Sequence, residues 1–149
     1  MLKLMYITNS PEVASIADGA GVDRIFIDLE QYGKEKRQKN WDSVKSKHSI
    51  SDIPKVKSAV KNAQIFVRTD PIFDGFSDEL EGVLACEPDV VMLPYFKTVR
   101  EVETFIKAVD GRATTSLLLE TREAAEQIDD IISVGGIDEI HIGLNDLSH

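Results

Sequence analysis

The stretch Ser116–Ala125 decides the fold class, and it reads Ser-Leu-Leu-Leu-Glu-Thr-Arg-Glu-Ala-Ala. Three consecutive leucines suit a strand that is buried on both faces, as in a parallel sheet covered by helices. Thr121 is of a residue type that caps helices, and Glu123 suits the first helical turn. Glu120 is thus left at the carboxyl end of a buried strand, where parallel α/β folds place their binding and catalytic residues.

The same pattern of an apolar run followed by a helical segment recurs along the chain. The strand-like runs cover about residues 2–7, 24–30, 63–70, 89–94, 113–119 and 138–144. Strands that alternate with helices imply a parallel sheet with right-handed crossovers, and both a doubly wound sheet and an eight-stranded barrel fit this order. The first strand-to-helix turn lacks the Gly-x-Gly-x-x-Gly pattern of dinucleotide-binding folds.

We therefore predict an α/β fold built from parallel (βα) units of a TIM barrel, with about six strands present. A complete barrel of this type usually needs about 250 residues, so the sequence predicts a barrel that is incomplete at its C-terminus. Residues 1–149 contain neither an interior linker nor a low-complexity segment, which favours a single partial-barrel domain. Residues 31–51 are predicted to form a long loop, and such loops are often functional.

The composition limits the class of protein and of partner. The chain has 149 residues with 42% hydrophobic and 29% charged content, which is typical of a soluble globular domain. Acidic residues outnumber basic ones by 26 to 17, which argues against a nucleic-acid partner. Cys86 is the only cysteine, and no apolar run is long enough to cross a membrane. We expect a cytoplasmic protein without a membrane partner.

Charged and polar residues follow the predicted strands and would ring one mouth of a parallel barrel. They are Asp28, Glu30, Arg68, Tyr95, Glu120, Asn145 and Asp146. A single acid after a strand is most often a helix cap, but a ring of acids around one arginine is harder to explain in that way. Two carboxylates with several waters supply the oxygen ligands that Mg²⁺ or Mn²⁺ prefers. We predict that Glu120 and Asp146 share such a metal, beside an arginine that could grip a carboxylate and stabilise an enolate.

Several of these segments resemble, in order and spacing, the HpcH/HpaI aldolase and citrate lyase beta-subunit family. The segments are Asp28–Glu30, Val67–Arg68, Met92–Pro94, Leu119–Ala124 and Ile142–Ser148. The resemblance spans nearly the whole chain, and its most specific parts are the Glu-Thr-Arg-Glu-Ala and Ile-Gly-x-x-Asp-Leu-Ser motifs. It implies a pyruvate/phosphoenolpyruvate-type barrel with a divalent metal. It also implies a carbon–carbon lyase, a class II aldehyde-lyase, that acts through a pyruvate- or oxaloacetate-type enolate.

The resemblance also implies roles for individual residues. Glu120 and Asp146 match the metal ligands by position, and Arg68 matches the arginine that binds the keto acid and stabilises the enolate. The main-chain amides near Asn145 and Asp146 would hold the substrate carboxylate. The partner implied is a small-molecule keto acid, and the full-length protein would be a homo-oligomer, a trimer or a hexamer.

Two positions depart from the pattern of the 4-hydroxy-2-oxo acid aldolases in this family. Gln31 stands where those enzymes carry a histidine, and Ala85 stands where they carry its partner aspartate. His48 is the best replacement for that histidine, although a solvent-exposed side chain is the simpler interpretation of it. A citrate-lyase-like acyl-CoA lyase and a non-catalytic barrel protein that binds a small acid remain alternative hypotheses.

Overall fold

The computed structural model describes residues 2–31 and 47–147. The described part of the chain forms six strands, as predicted: β1 (Met5–Ile7), β2 (Arg24–Asp28), β3 (Gln64–Arg68), β4 (Val90–Leu93), β5 (Thr114–Leu119) and β6 (Glu139–Ile142). Its helices are α1 (Pro11–Gly19), α2 (Asp52–Ala59), α3 (Phe76–Leu84), α4 (Val99–Val109), α5 (Arg122–Glu126), α6 (Ile128–Ser133) and α7 (Leu144–Leu147). None of these helices is long and apolar enough to cross a membrane.

The strands form one parallel sheet in the order β1-β2-β3-β4-β5-β6, so each strand pairs with its neighbour in sequence. The sheet curls, so that Arg24 at the start of β2 reaches across its concave side to Glu139 at the start of β6. The Nη1 atom of Arg24 donates to Oε2 of Glu139 at 2.7 Å. The predicted incomplete TIM barrel is therefore confirmed.

The central strands β2, β3 and β4 are buried on both faces, which explains their continuous apolar sequence, whereas the outer strands β1 and β6 are partly exposed. In β2, Ile25 and Ile27 pack in the large cluster between the sheet and the helices, whereas Phe26 packs inside the barrel. Phe66 of β3 and Leu118 of β5 also belong to the interior cluster. Because side chains alternate along a strand, residues two positions further along point into the barrel mouth. Those residues are Asp28, Arg68 and Glu120.

Helix starts follow the capping signals in the sequence. The Ser10 hydroxyl accepts a hydrogen bond from Val13 N at 3.3 Å, and Pro11 is the first residue of α1. Thr98 and Glu101 form a reciprocal capping box at the start of α4. These contacts span only three residues, so local sequence is enough to predict them.

The helical segment that follows Thr121 is interrupted at Gln127, where the backbone has φ −111° and ψ 17°. The side-chain amide of Gln127 donates to the Glu123 carbonyl at 2.9 Å and to the Lys97 carbonyl at 3.1 Å. Its main-chain N–H bonds to Ala124 instead, at 3.1 Å. The side chain thus takes the carbonyl that a continuous α-helix would use, and the segment divides into α5 and α6.

Candidate active site

Arg68 is held in a two-point ion pair by Asp28, the residue beside it on the neighbouring strand. Its Nε donates to Oδ1 of Asp28 at 2.9 Å and its Nη2 donates to Oδ2 at 2.8 Å, while Oε2 of Glu30 lies 3.2 Å from Nη2. The register of the sheet creates this pair, because Asp28 and Arg68 are aligned partners in β2 and β3. The guanidinium carbon also lies 5.6 Å from the centre of the Phe26 ring.

The charge of Arg68 is secured by these neighbours. Burial alone would lower the pKa of its guanidinium, but the hydrogen bonds and charge of Asp28 and the charge of Glu30 raise that pKa overall. Nε and Nη2 contact the two carboxylates, whereas Nη1 has no hydrogen-bond partner in residues 2–31 and 47–147 and could donate to a bound anion. The geometry is that of a fixed cation inside an acidic mouth.

Glu120 lies in the same mouth and is 6% exposed. Its Oε1 accepts a hydrogen bond from the main-chain N–H of Tyr95 at 3.0 Å. Its other oxygen faces Gly143, where an added Cβ would lie 3.1 Å from Oε2 and 2.8 Å from the Cβ of Glu120. Only glycine therefore fits at position 143 without displacing Glu120, which explains the glycine in the Ile-Gly-x-x-Asp motif.

The carboxylates of the mouth repel one another. Burial and then the charge of Glu30 raise the pKa of Glu120 to about 7, and Asp146 contributes in the same direction. The Tyr95 N–H and the Arg68 guanidinium lower this pKa but do not compensate. The raised pKa of Glu120 thus reflects both burial and repulsion by neighbouring carboxylates of the described part of the chain, and a bound cation would relieve that repulsion.

The predicted metal ligands, Glu120 and Asp146, fit a divalent cation by their chemistry. Mg²⁺ is commonly held by one or two carboxylates and keeps several waters. Asp146 lies on α7, which begins at the residue after Gly143. Its charge contributes to the raised pKa of Glu120. In residues 2–31 and 47–147, no three His, Cys, Asp or Glu side chains are clustered as a metal site. A two-carboxylate site completed by water remains the prediction, and so does the role of the amides near Asn145.

His48 is buried, at 4% exposure, so the interpretation of it as a solvent-exposed side chain was wrong. Its Nδ1 accepts a hydrogen bond from Asp28 N at 2.9 Å, beyond the end of the β1–β2 ladder. The side-chain amide of Gln31 donates to the His48 carbonyl at 3.4 Å. The His48 ring thus accepts the hydrogen bond that a further residue of β1 would otherwise accept from β2. Nothing in the local sequence indicates this position of the ring. Residues 32–46 of the predicted loop lie outside the described residues.

Glu79 of α3 is a half-buried carboxyl group that contacts Asp70, just beyond the end of β3. Its Oε1 accepts from Asp70 N at 3.1 Å, and its buried Oε2 has no hydrogen-bond partner in the described part of the chain. Burial raises the pKa of Glu79 to about 7, and the charge of Asp70 adds to this effect. Asp70 in turn accepts from Gln31 N at 2.6 Å. The sequence showed no sign of this group, because Glu79 occupies an ordinary position near a helix start.

We expect Glu79→Gln to stabilise the protein by about 1 kcal/mol at pH 8, and by much less at pH 5. A carboxyl whose pKa is raised on folding costs stability as the pH rises from its unfolded value of 4.5 to about 7, and the cost persists above that. Glutamine removes the charge and keeps the shape. Urea unfolding at both pH values measures the difference, with the exposed Glu103→Gln as the control. A gain that is equal at the two pH values would contradict the expected ionisation of Glu79.

Comparisons with known proteins bear on this arrangement. Residues 3–149 match the profile of the family described as HpcH/HpaI aldolase/citrate lyase. A comparison with curated proteins found no match. One similar solved structure is an HpcH/HpaI aldolase/citrate lyase family protein from Burkholderia cenocepacia J2315, with a TM-score of 0.77 and 13% sequence identity. Another is an HpcH/HpaI aldolase from Desulfitobacterium hafniense DCB-2, with a TM-score of 0.72 and 16% sequence identity. A citrate lyase from Burkholderia xenovorans LB400 has a TM-score of 0.70 and 16% identity.

The three solved structures are longer than this chain. They cover 98%, 98% and 99% of this chain, but the chain covers only 65%, 64% and 50% of theirs. At these identities the structures show the fold alone, whereas the profile match over residues 3–149 shows the family. The chain belongs to the HpcH/HpaI aldolase/citrate lyase family.

Proposed function

We propose that the full-length protein is a divalent-metal-dependent carbon–carbon lyase, a class II aldolase that acts on a keto acid through an enolate. The observation that carries the proposal is the juxtaposition of the two halves of the mouth. One half is the fixed cation Arg68, and the other is the buried carboxylate Glu120 with Asp146 within electrostatic reach. Membership of a lyase family supports the same reaction class.

The chain's own residues supply binding, orientation and charge. Arg68, fixed by Asp28, would donate through Nη1 to the keto acid and stabilise the negative charge that develops on its oxygen. Glu120 and Asp146 are the residues that would hold Mg²⁺ or Mn²⁺. A bound divalent cation supplies Lewis-acid polarisation of a keto group. The main-chain amides near Asn145 and Asp146 are proposed to hold the substrate carboxylate.

The two positions that depart from the family pattern, Gln31 and Ala85, have no proposed role in proton transfer. Gln31 uses its main-chain N–H on Asp70, and Ala85 is the apolar C-cap residue of α3. Neither can act as a general acid or base at neutral pH. The proposal therefore concerns the keto-acid and cation half of the reaction, in a cytoplasmic homo-oligomer.

Removal of the metal tests the proposal. We expect the full-length protein to release pyruvate from 4-hydroxy-2-oxo acids with Mg²⁺ or Mn²⁺, to lose that activity in EDTA, and to regain it when metal is restored. An unchanged rate in EDTA would rule out the metal-dependent mechanism. Preferred cleavage of a CoA ester would favour the acyl-CoA lyase instead. Isothermal titration without any metal binding would favour a non-catalytic barrel that binds a small acid.

A further inference from the structure

Tyr95 has an unusual backbone conformation at the barrel mouth. Its φ is 48°, in the left-handed region that non-glycine residues rarely adopt. Two other non-glycine residues in the described part of the chain share this conformation, Glu87 and Asp110. Asp110 is the C-cap of α4, and Glu87 closes the turn after α3 by a hydrogen bond to the Leu84 carbonyl. Left-handed residues are common at helix ends, but Tyr95 lies just beyond strand β4 and needs another explanation.

The backbone around Tyr95 grips the Glu120–Thr121 pair at two points. The N–H of Tyr95 donates to Oε1 of Glu120 at 3.0 Å. The carbonyl of the next residue, Phe96, accepts from the Thr121 hydroxyl at 2.7 Å. Phe96 and Thr121 are both buried, so this second point is shielded from water. The left-handed turn at Tyr95 allows the N–H and the following carbonyl to meet adjacent residues of the same segment.

Gly143 completes the enclosure from the opposite side. It lies against the Cβ and Oε2 of Glu120 and leaves no room for a methyl group. Oε1 is thereby occupied by the Tyr95 N–H, and Oε2 is the oxygen that remains to bind a cation. The main chain, and not the phenol ring of Tyr95, sets this orientation.

We propose that Tyr95 is a positioning residue whose main-chain amide presents Glu120 for cation binding. This inference rests on the proposed function, since it assigns Glu120 to a metal. It also predicts that cation binding depends on the main-chain amide of Tyr95 and not on its side chain. Strain stored at one residue is then the cost of a fixed carboxylate orientation.

Metal affinity of backbone variants of the full-length protein separates the amide from the ring. Tyr95→Gly keeps the N–H and favours a positive φ, so we expect its Mn²⁺ affinity, by isothermal titration, to stay within about threefold of the wild type. Tyr95→Pro removes the N–H and fixes φ near −65°, so we expect a loss of about 10- to 100-fold. If circular dichroism shows that the proline variant does not fold, an ester in place of the Tyr95 amide removes the N–H with the side chain retained. Equal losses in the glycine and ester variants, or no loss in the ester, would overturn the inference.

A measurement without metal keeps this inference distinct from the proposed function. In the metal-free protein, we expect Glu120→Ala to shift the Tyr95 amide proton upfield and to speed its exchange with solvent by at least about tenfold. An unchanged Tyr95 resonance and exchange rate would show that the amide does not hold Glu120. If the wild type binds no cation while the amide responds, the positioning contact stands and the metal assignment fails.

Discussion

Arg68→Ala is expected to destabilise the protein by about 3 kcal/mol, because it removes the cation that contacts the buried carboxylates of both Asp28 and Glu30. The side chains of Asp28 and Glu30 are only 11% and 4% exposed, so water can compensate only in part for the lost guanidinium. Urea unfolding at pH 7 measures the loss. The same variant of the full-length protein should also have no measurable lyase activity, since the proposed keto-acid contact is removed.

Arg122→Ala is the matched control for charge removal. Its side chain is 88% exposed and pairs with Glu126 one helical turn away, at 2.8 Å. Exposed pairs of this kind contribute about 0.3–0.5 kcal/mol. Arg68→Lys should recover only part of the stability, because an ammonium cannot make the two-point contact with Asp28. If Arg68→Ala is as stable as Arg122→Ala, the buried ion pair does not support the fold.

Glu120→Gln is expected to have opposite effects on stability and on metal affinity. Without metal at pH 8 it should stabilise the protein by about 1 kcal/mol, because the wild-type carboxyl, with its pKa raised to about 7, is ionised there against Glu30 and Asp146. This wild-type cost develops as the pH rises from the unfolded value of 4.5 to about 7. The metal affinity should fall at least about 100-fold, since even residues that only support metal ligands contribute 10- to 100-fold.

Thermal unfolding of the full-length protein at pH 8, with and without MnCl₂, tests both effects together. The glutamine variant should melt higher than the wild type without metal and lower than it with metal, because a ligand stabilises only a folded state that binds it. Glu123→Gln, three residues along on an exposed part of α5, should respond to Mn²⁺ as the wild type does. If Mn²⁺ raises the melting temperature of Glu120→Gln as much as that of the wild type, Glu120 is not a ligand.

Local sequence predicted the elements of this fold well. Apolar runs such as Leu117–Leu119 indicated strands, and Thr121 marked a helix start that the structure confirms. These features depend on contacts between residues a few positions apart. The motif spacing was equally informative, since the family that Glu120 and its neighbours indicated is the family that residues 3–149 match.

Contacts between distant residues could not be predicted in the same way. The Tyr95 amide and the Glu120 carboxylate are 25 positions apart, and the Asp28 amide and the His48 ring are 20 apart. Gln127 broke a helix that its sequence favoured, because its side chain reached the Lys97 carbonyl 30 positions away. Each contact depends on where the strand ends and loops come to lie, which follows from the packing of the whole sheet.

The sequence by itself determined the order of strands and helices, the partial barrel and the acids that follow its strands. Hydrophobic periodicity and helix capping depend on residues close together in the chain, so they can be recognised in the sequence alone. Only the tertiary structure decided which of Glu120's two oxygens is held by the Tyr95 N–H, how Asp28 grips Arg68, and that His48 is buried. Those facts are set by the register of β2 with β3 and by the close approach of Gly143 to Glu120. Such long-range distances are fixed when the sheet curls, because burial then favours the arrangements in which most polar groups find a partner.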